Sequence, residues 1–185
     1  YPYASQILIS EGPVKYWQDR GRTTSTDKTN DILNNFPDPE NKITIVHGQF
    51  SEKDEQCNAY IEHMNPDIDY LWNLDSDEVY KREDIEKTIE FLKKEKPTSV
   101  GVRSLSFYGG FDDYLTGFEL NRDNFLRIFR VTEGSKWLTH RPPTIQYPKG
   151  SDIIKKHIDN NSFYKLTGVQ MYHYSYVFPH QVKNK

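Results

Sequence analysis

The feature that most constrains this chain is an apolar run, from Tyr70 to Leu74, that ends abruptly in the acids Asp75, Asp77 and Glu78. The run is rich in residues that favour β-structure, so it predicts a buried strand with two aspartates at its carboxyl end. Two carboxylates this close repel each other unless a positive charge lies between them. A hard divalent cation such as Mg²⁺ or Mn²⁺ fits these oxygen ligands and keeps positions open for substrate phosphates. A solvated acidic turn after a strand is the alternative interpretation of the same spacing.

Strand-like and helix-like stretches alternate with short links over residues 1–108. This order predicts an α/β fold with a mostly parallel sheet and helices on both faces. Beyond this point the rhythm changes, because β-like segments at 126–131 and 169–177 are separated by irregular polar sequence. We therefore expect one domain over residues 1–185, with a nucleotide-type half at 1–108 and a looser, β-containing half that faces the substrate at 109–185.

Composition limits the class of partner and the compartment. The net charge of −3 argues against nucleic acid as a partner, since phosphate backbones require a strong basic surplus. The single cysteine, Cys57, excludes an intramolecular disulfide and fits a reducing compartment. No run approaches the roughly 20 apolar residues of a membrane span, and no signal peptide opens the chain. These features predict a cytoplasmic protein without a transmembrane segment.

Five segments follow one another in a recognisable order: a strand ending at Glu11, a polar segment at 25–29 where a helix begins, a helix around 56–58, the acidic motif at 74–78, and a late Tyr-His-Tyr at 172–174. This ordered set resembles the inverting glycosyltransferases of family 2, which are built on the GT-A fold. The resemblance implies a GT-A-like (Rossmann-like) sheet. It also implies transfer of a sugar, with inversion, from a UDP- or GDP-sugar to a hydroxyl of a glycan or small acceptor.

The resemblance extends to individual residues around the donor. It implies that Asp75 and Asp77 hold Mn²⁺ or Mg²⁺ on the diphosphate, where the cation offsets the charge of the departing group. His173 resembles the late histidine that completes the metal shell in many GT-A enzymes, and His140 competes for that role. Glu11 stands where an acid usually meets the nucleotide base, although family members more often carry Asp there.

Phosphate binding and the acceptor reaction need further side chains. Arg141 could pair with a phosphate oxygen. An inverting transferase also needs a carboxylate that takes a proton from the acceptor hydroxyl as that hydroxyl attacks the anomeric carbon. The family often carries this base in a Glu-Asp pair, and no such pair follows Gly109. Asp112 and Asp113 are therefore the nearest candidates, with Glu119 behind them.

The resemblance leaves two questions open. The family's first strand would lie before Tyr1, so we expect the chain to be a fragment of a longer protein, because a sheet without a central strand exposes unpaired backbone. Two other functions also fit these residues: a non-catalytic nucleotide-sugar- or carbohydrate-binding domain derived from such an enzyme, and a nucleotidyltransferase. Release of pyrophosphate instead of a nucleoside diphosphate would distinguish the nucleotidyltransferase.

Overall fold

The computed structural model describes residues 1–116 and 125–180, and the chain divides into two compact units. Neither unit is continuous in sequence, because the chain passes between them at residues 70, 131 and 152. The boundary predicted near Gly109 falls inside the second unit. The first unit comprises Tyr1–Asp69 and Val131–Ser151, and the second comprises the described residues from 70 to 130 and from 152 onward.

Strands and helices of the described residues are numbered along the chain. The strands are β1 (Ile7–Glu11), β2 (Ile43–His47), β3 (Tyr70–Trp72), β4 (Glu78–Val79), β5 (Ser99–Tyr108), β6 (Phe125–Arg130), β7 (Lys136–His140), β8 (Pro143–Gln146), β9 (His157–Ile158) and β10 (Gln170–Tyr176). The helices are α1 (Lys15–Gln18), α2 (Thr29–Asn35), α3 (Lys53–Ile61), α4 (Arg82–Glu95) and α5 (Asn160–Thr167).

The first unit contains a parallel pair, β1 and β2, and an antiparallel pair, β7 and β8. Both parallel strands are rich in isoleucine, which packs well on a pleated surface, and their register places Glu11 opposite His47. Helix α3 is fastened to β7 by Asn58, which accepts a hydrogen bond from the backbone N–H of Trp137 (2.8 Å) and donates one to its carbonyl oxygen (3.0 Å). The Trp137 indole N–H donates to the Tyr60 hydroxyl at 2.9 Å. These bonds join two segments that are distant in sequence.

The second unit contains a mixed sheet in the order β3, β6, β5, β10, β4, with β9 paired to β5. Strand β10 runs parallel to β5, whereas β6 is antiparallel to both β3 and β5, and β4 is antiparallel to β10. The predicted α/β class is therefore confirmed as a mixed α/β fold, but parallel pairs are a minority of the described strand pairs. Side-chain periodicity locates strands without encoding their direction, which is why the mostly parallel sheet was not the outcome.

The core of the second unit is formed by α4, α5 and the central strands of the sheet. The rings of Phe91 and Phe163 pack edge to face, with their centroids 5.0 Å apart. Full burial of one aliphatic or aromatic side chain stabilises the fold by about 1.5–3 kcal/mol relative to leaving it exposed. Helix α5 begins at Asp159, whose carboxylate accepts from the N–H groups of Asn161 and Ser162. This packing fixes β5 and β10, whose ends carry the site. The core residues are Phe91, Leu92, Val100, Val102, Ile128, Phe163, Val169 and Met171.

Candidate functional site

The acidic motif forms a tight turn between β3 and β4. Strand β3 is shorter than the predicted run, since it ends at Trp72. Its three residues are half-buried, whereas a buried strand was predicted. The Asn73 N–H donates to the carbonyl oxygen of Arg127 at 2.7 Å, and the Glu78 N–H donates to the carbonyl oxygen of Asp75 at 3.1 Å. The three acids of the motif therefore leave one turn in different directions, and each finds a different environment.

Glu78 forms a buried ion pair with Arg127 of β6. The Arg127 Nε lies 2.9 Å from both carboxylate oxygens of Glu78, and its Nη2 contacts Glu78 Oε1 as well as Asp75 Oδ2, the latter at 3.1 Å. Burial raises the pKa of Glu78, although the Arg127 guanidinium opposes that shift. The Asp75 side chain is 52% exposed. Asp75, a predicted ligand, is thus already paired with an arginine.

Asp77 faces the last strand of the sheet instead. The Ser175 hydroxyl donates to Asp77 Oδ2 at 2.5 Å and lies 2.8 Å from the His173 Nε2, and the Asp77 Oδ2 and His173 Nε2 are 3.7 Å apart. This proximity follows from sheet register, because His173 pairs with Glu78 across β10 and β4. The structure therefore brings together two of the three predicted metal ligands.

The predicted metal set can be tested against these positions. No group of three or more His, Cys, Asp or Glu side chains able to hold a cation occurs in the part of the chain that the structure describes. Asp77 and His173 supply one oxygen and one nitrogen donor, while Asp75 is bonded to Arg127. Mg²⁺ is usually bound through one or two carboxylates and completes its shell with waters and substrate phosphates. The pair therefore fits a cation that is held jointly with a phosphate ligand.

Glu11 lies at the carboxyl end of β1 in the first unit and is buried. Its Oε1 accepts a hydrogen bond from the backbone N–H of Ser25 at 3.0 Å and lies 3.4 Å from the Thr24 hydroxyl, while its Oε2 is 3.2 Å from the His47 Nδ1. Burial by itself raises the pKa of Glu11, but the bonds from Ser25 and His47 outweigh it and hold the pKa below its ordinary value. Glu11 thus anchors the segment that follows α1.

A cavity of about 300 Å³ opens beside this end of β1. Gly12 has φ of +143°, and a Cβ atom there would lie 1.8 Å from the carbonyl oxygen of Gly48, so only glycine fits. The other side chains around the cavity combine one large ring, one cation and several hydroxyls. The lining residues are Gly12, Pro13, Trp17, Arg22, Thr24, Ser25 and Thr26.

His140 and Arg141 lie at the end of β7 in the first unit. Asp54 Oδ1 is 2.6 Å from both the backbone N and the Nδ1 of His140, so the competing histidine is engaged with a carboxylate of α3. Arg141 is exposed, and its backbone N–H donates to the Thr139 hydroxyl at 3.2 Å. The proposed phosphate contact of Arg141 stays a prediction.

Asp112 and Asp113 lie in an exposed loop after β5. The carbonyl oxygen of Asp113 accepts from the Tyr108 N–H at 3.1 Å, which ties the loop to the end of the strand. The neighbouring Phe111 ring packs against Tyr174 of β10 at 5.7 Å. Both aspartates thus belong to the unit that contains Asp77, and their role as the base stays a prediction. Glu119 lies outside the described residues.

Three residues of these arrangements were not identified from the sequence: Arg127, Ser175 and Trp17. An arginine inside the apolar strand pattern of β6 was a signal that a buried carboxylate needs a partner. Ser175 shares a strand face with His173 because the two are separated by two residues. Trp17 lies in the short helix α1, within a polar segment whose sequence has no periodicity, so no sequence signal identified it.

These features define a mixed α/β protein with an acidic turn at a strand end and a cavity beside another strand end. The family model of glycosyl transferase family 2 matches residues 23–164. The chain therefore belongs to glycosyl transferase family 2, and the resemblance seen in the sequence is confirmed at the level of the family. No curated protein matches the chain. Family membership supports glycosyltransferase activity in general, and the mixed α/β architecture is consistent with a GT-A domain.

Among the described residues, no helix is both long and apolar enough to cross a membrane.

Proposed function

We propose that this protein transfers a sugar, with inversion, from a UDP- or GDP-sugar to a hydroxyl of a glycan or small acceptor, in a reaction that depends on Mn²⁺ or Mg²⁺. One observation carries the proposal: in a chain that belongs to glycosyl transferase family 2, the second aspartate of the acidic motif lies 3.7 Å from a histidine on the neighbouring strand. Carboxylate oxygens are the preferred ligands of both cations, and the His173 nitrogen would add a second donor beside them.

In this proposal Asp77 and His173 hold the cation and Ser175 orients both. When bound, the cation supplies charge stabilisation to the departing diphosphate. The Ser175 hydroxyl lies within hydrogen-bond distance of both side chains and so helps to hold their spacing. The ion pair between Arg127 and Glu78 stabilises the turn that carries Asp77. Asp75 contacts the bound nucleotide.

Glu11 and the cavity beside it bind the nucleoside in the first unit. The carboxylate is ionised and keeps Ser25 in place, so the wall of the cavity has a defined shape before a nucleotide enters. Arg141 binds a phosphate oxygen through its exposed guanidinium. This planar group can donate two parallel hydrogen bonds to an oxyanion.

The acceptor step needs one carboxylate from the exposed loop after β5. Asp112 or Asp113 takes the proton of the acceptor hydroxyl while the acceptor oxygen forms a bond to the anomeric carbon. The bond from that carbon to the phosphate oxygen breaks in the same step, and the nucleoside diphosphate leaves with the electron pair. Attack on the face opposite the leaving group inverts the anomeric configuration.

Calorimetric titration with UDP and with GDP, each with and without Mn²⁺, tests the donor side. We expect Mn²⁺ to strengthen nucleotide binding in the native protein. Asp77→Asn keeps the size of the side chain and an acceptor for Ser175, yet it removes the charged ligand. It should reduce the Mn²⁺-dependent gain in affinity by more than the ~10- to 100-fold that the loss of an outer-shell partner costs.

Asp67→Asn is the matched control, since Asp67 is an exposed aspartate outside the acidic motif. It should bind nucleotide and Mn²⁺ as the native protein does. Equal loss in both variants, or no loss in Asp77→Asn, would contradict the metal role.

A donor sugar nucleotide incubated with hydroxyl acceptors should release a nucleoside diphosphate, whereas release of pyrophosphate would indicate nucleotidyl transfer. Binding without either product would indicate a binding domain.

A further inference from the structure

A cluster of exposed aromatic side chains lies beside the loop after β5 in the second unit. Phe111 is 58% exposed and Tyr114 is 49% exposed. Phe178, which follows β10, is 45% exposed, and its ring packs edge to face on Phe111 with the centroids 5.6 Å apart. We call Phe111, Tyr114 and Phe178 the aromatic platform. Large apolar side chains that are exposed as a cluster, and not scattered singly, mark binding surfaces.

The rings beneath the aromatic platform connect it to the sheet. Phe107 of β5 is buried, and its ring stacks on that of Tyr174 of β10 with centroids 4.6 Å apart and planes at 12°. The Tyr114 ring packs against Phe107 at 6.2 Å, and the Phe111 ring packs against Tyr174 at 5.7 Å. Each of these two exposed rings therefore has one ring of a stacked pair as its support, which holds it in place without covering it.

Backbone hydrogen bonds fix the loop that carries two of these rings. Besides the bond at Asp113, the Leu115 N–H donates to the carbonyl oxygen of Ser106 at 2.9 Å, and the Gly109 N–H donates to that of Tyr176 at 2.9 Å. The loop is thus tied to β5 and to β10. A surface that is ordered before binding loses less conformational entropy when a ligand arrives.

The charges around the aromatic platform limit what it can bind. Residues 108–116 and 177–180 include no lysine or arginine, whereas Asp112 and Asp113 are exposed between Phe111 and Tyr114. Phosphorylated and other anionic ligands need cations, so this surface disfavours them. The cores of protein interfaces are depleted in aspartate, which disfavours a second protein chain. Aromatic rings beside carboxylates suit a neutral ligand that has both apolar C–H faces and many hydroxyls.

We propose that the aromatic platform binds a neutral oligosaccharide, whose sugar rings stack on Phe111 and Tyr114 and whose hydroxyls donate to Asp112 and Asp113. The inference rests on the proposed function in one respect, since it makes the acceptor a glycan of several sugars and not a small hydroxyl compound. Binding of the oligosaccharide needs neither nucleotide nor cation, because all residues that carry it belong to the second unit.

Oligosaccharide binding can be measured without a donor. The probes are cellotetraose, maltotetraose, laminaritetraose, mannotetraose and chitotetraose, each titrated calorimetrically into the native protein without nucleotide or metal. We expect at least one to bind, and to bind more tightly than its monosaccharide, because several sugars contact several rings. In saturation-transfer NMR, irradiation of the aromatic protons of the protein should transfer to C–H protons of the bound sugar.

Loss of either supported ring should weaken the binding. Phe111→Ala and Tyr114→Ala should each lower the affinity for the bound tetrasaccharide by about five- to tenfold, the size of one aromatic contact. Phe111→Trp retains a ring, so its affinity should stay within about threefold of the native value. The tetrasaccharide should also change the tryptophan emission of this variant by more than that of the native protein.

Phe36→Ala is the matched control, because Phe36 is a 47% exposed phenylalanine of the first unit. It should bind the tetrasaccharide as the native protein does. Native-like circular dichroism and melting of the alanine variants would exclude unfolding as the cause of a loss. If an alanine variant does unfold, the emission change in Phe111→Trp decides, and its absence would overturn the proposal.

The outcomes separate this inference from the proposed function. Absence of binding by every probe, unchanged affinity in both Phe111→Ala and Tyr114→Ala, or an equal loss in Phe36→Ala would overturn the platform alone. Dimerisation in sedimentation experiments that is abolished by Phe111→Ala would also overturn it, because a second copy would then cover the rings. If a tetrasaccharide binds but no nucleoside diphosphate is released from any donor, the proposed function fails while the platform stands as a carbohydrate-binding site.

Discussion

Two buried glutamates, one in each unit, differ in the direction of their pKa shifts. Glu11 and Glu78 are both 7% exposed. The pKa of Glu11 is lowered, because hydrogen bonds from Ser25 and from His47 outweigh the effect of burial. The pKa of Glu78 is raised, because burial outweighs the Arg127 guanidinium that contacts both carboxylate oxygens.

The difference arises from how much contact with water each carboxylate retains. The side chain of Glu11 is 7% exposed to solvent, whereas that of Glu78 is 0% exposed. Loss of solvation is costly for a charged group, and an ion pair offsets that cost only while both partners are present. The acidic turn of the second unit therefore depends on a single arginine, while Glu11 shares its charge among several weaker donors.

The largest effect is expected when Arg127 is removed. Arg127→Ala leaves the Glu78 carboxylate enclosed without a cation, so the free energy of unfolding should fall by about 3–5 kcal/mol. Urea or guanidinium unfolding of the native and variant proteins measures this change. The double variant Arg127→Met with Glu78→Leu removes both charges and should lose much less. Equal losses in the single and double variants would contradict the view that the unpaired charge is the cause.

A smaller effect, with opposite pH dependence in the two units, is expected from neutralising each glutamate. The pKa of Glu11 is lower in the folded protein than its ordinary value of 4.5, so its ionised form stabilises the fold above that value and this contribution is lost as the pH falls through the folded pKa. Glu11→Gln should therefore cost about 1 kcal/mol near neutral pH and progressively less in acid.

Glu78 provides the contrast. Its folded pKa lies above the ordinary value of 4.5, so the protonated carboxyl favours folding below that value and the contribution is lost as the pH rises through the folded pKa. Urea unfolding of Glu11→Gln and Glu78→Gln over a pH series should thus show differences from the native protein that change in opposite directions with pH. Parallel changes would show that the two carboxylates are not held differently.

The smallest effect on stability is expected from Ser175→Ala. A hydrogen bond of this kind contributes about 0.5–1.5 kcal/mol, so the loss of unfolding free energy should be at the low end of that range. The effect on Mn²⁺ affinity should be larger, about tenfold, because Ser175 orients Asp77 and His173. Electron paramagnetic resonance of free Mn²⁺ during titration measures this change in affinity.

Ser104→Ala is the control for this variant. Ser104 is fully buried and its hydroxyl lies 3.2 Å from that of Ser106, so its removal also deletes a buried hydroxyl. It should lower stability to a similar extent and leave Mn²⁺ affinity unchanged. A matching loss of Mn²⁺ affinity in Ser104→Ala would mean that Ser175 acts through stability alone.

Local patterns predicted much of the fold. The strand ending at Glu11, the helix around 56–58 and the β-like segments at 126–131 and 169–177 appear in the structure as β1, α3, β6 and β10, because side-chain periodicity depends only on neighbouring residues. The same patterns did not predict that β3 would be three residues long or that β6 would run antiparallel to it. Strand direction depends on where the connecting chain returns, which no local window contains.

The candidate site shows the same division. The acidic motif was identified from its residue types and spacing, and Glu11 and His173 from the resemblance to the family. The bond between Arg127 and Asp75 depends on the register of β3 with β6, and the bond between Asp54 and His140 joins residues 86 positions apart. The linear sequence does not indicate which side chain Arg127 or His140 meets.

By itself, the sequence determined the family, the acidic motif and the places where strands and helices form, because these follow from residue type and short-range spacing. Only the tertiary structure decided that Asp77 and His173 lie together, that Asp75 is paired with an arginine, and that Trp17 lines a cavity. Those outcomes depend on sheet register and on backbone hydrogen bonds between distant segments, which form only when the chain folds.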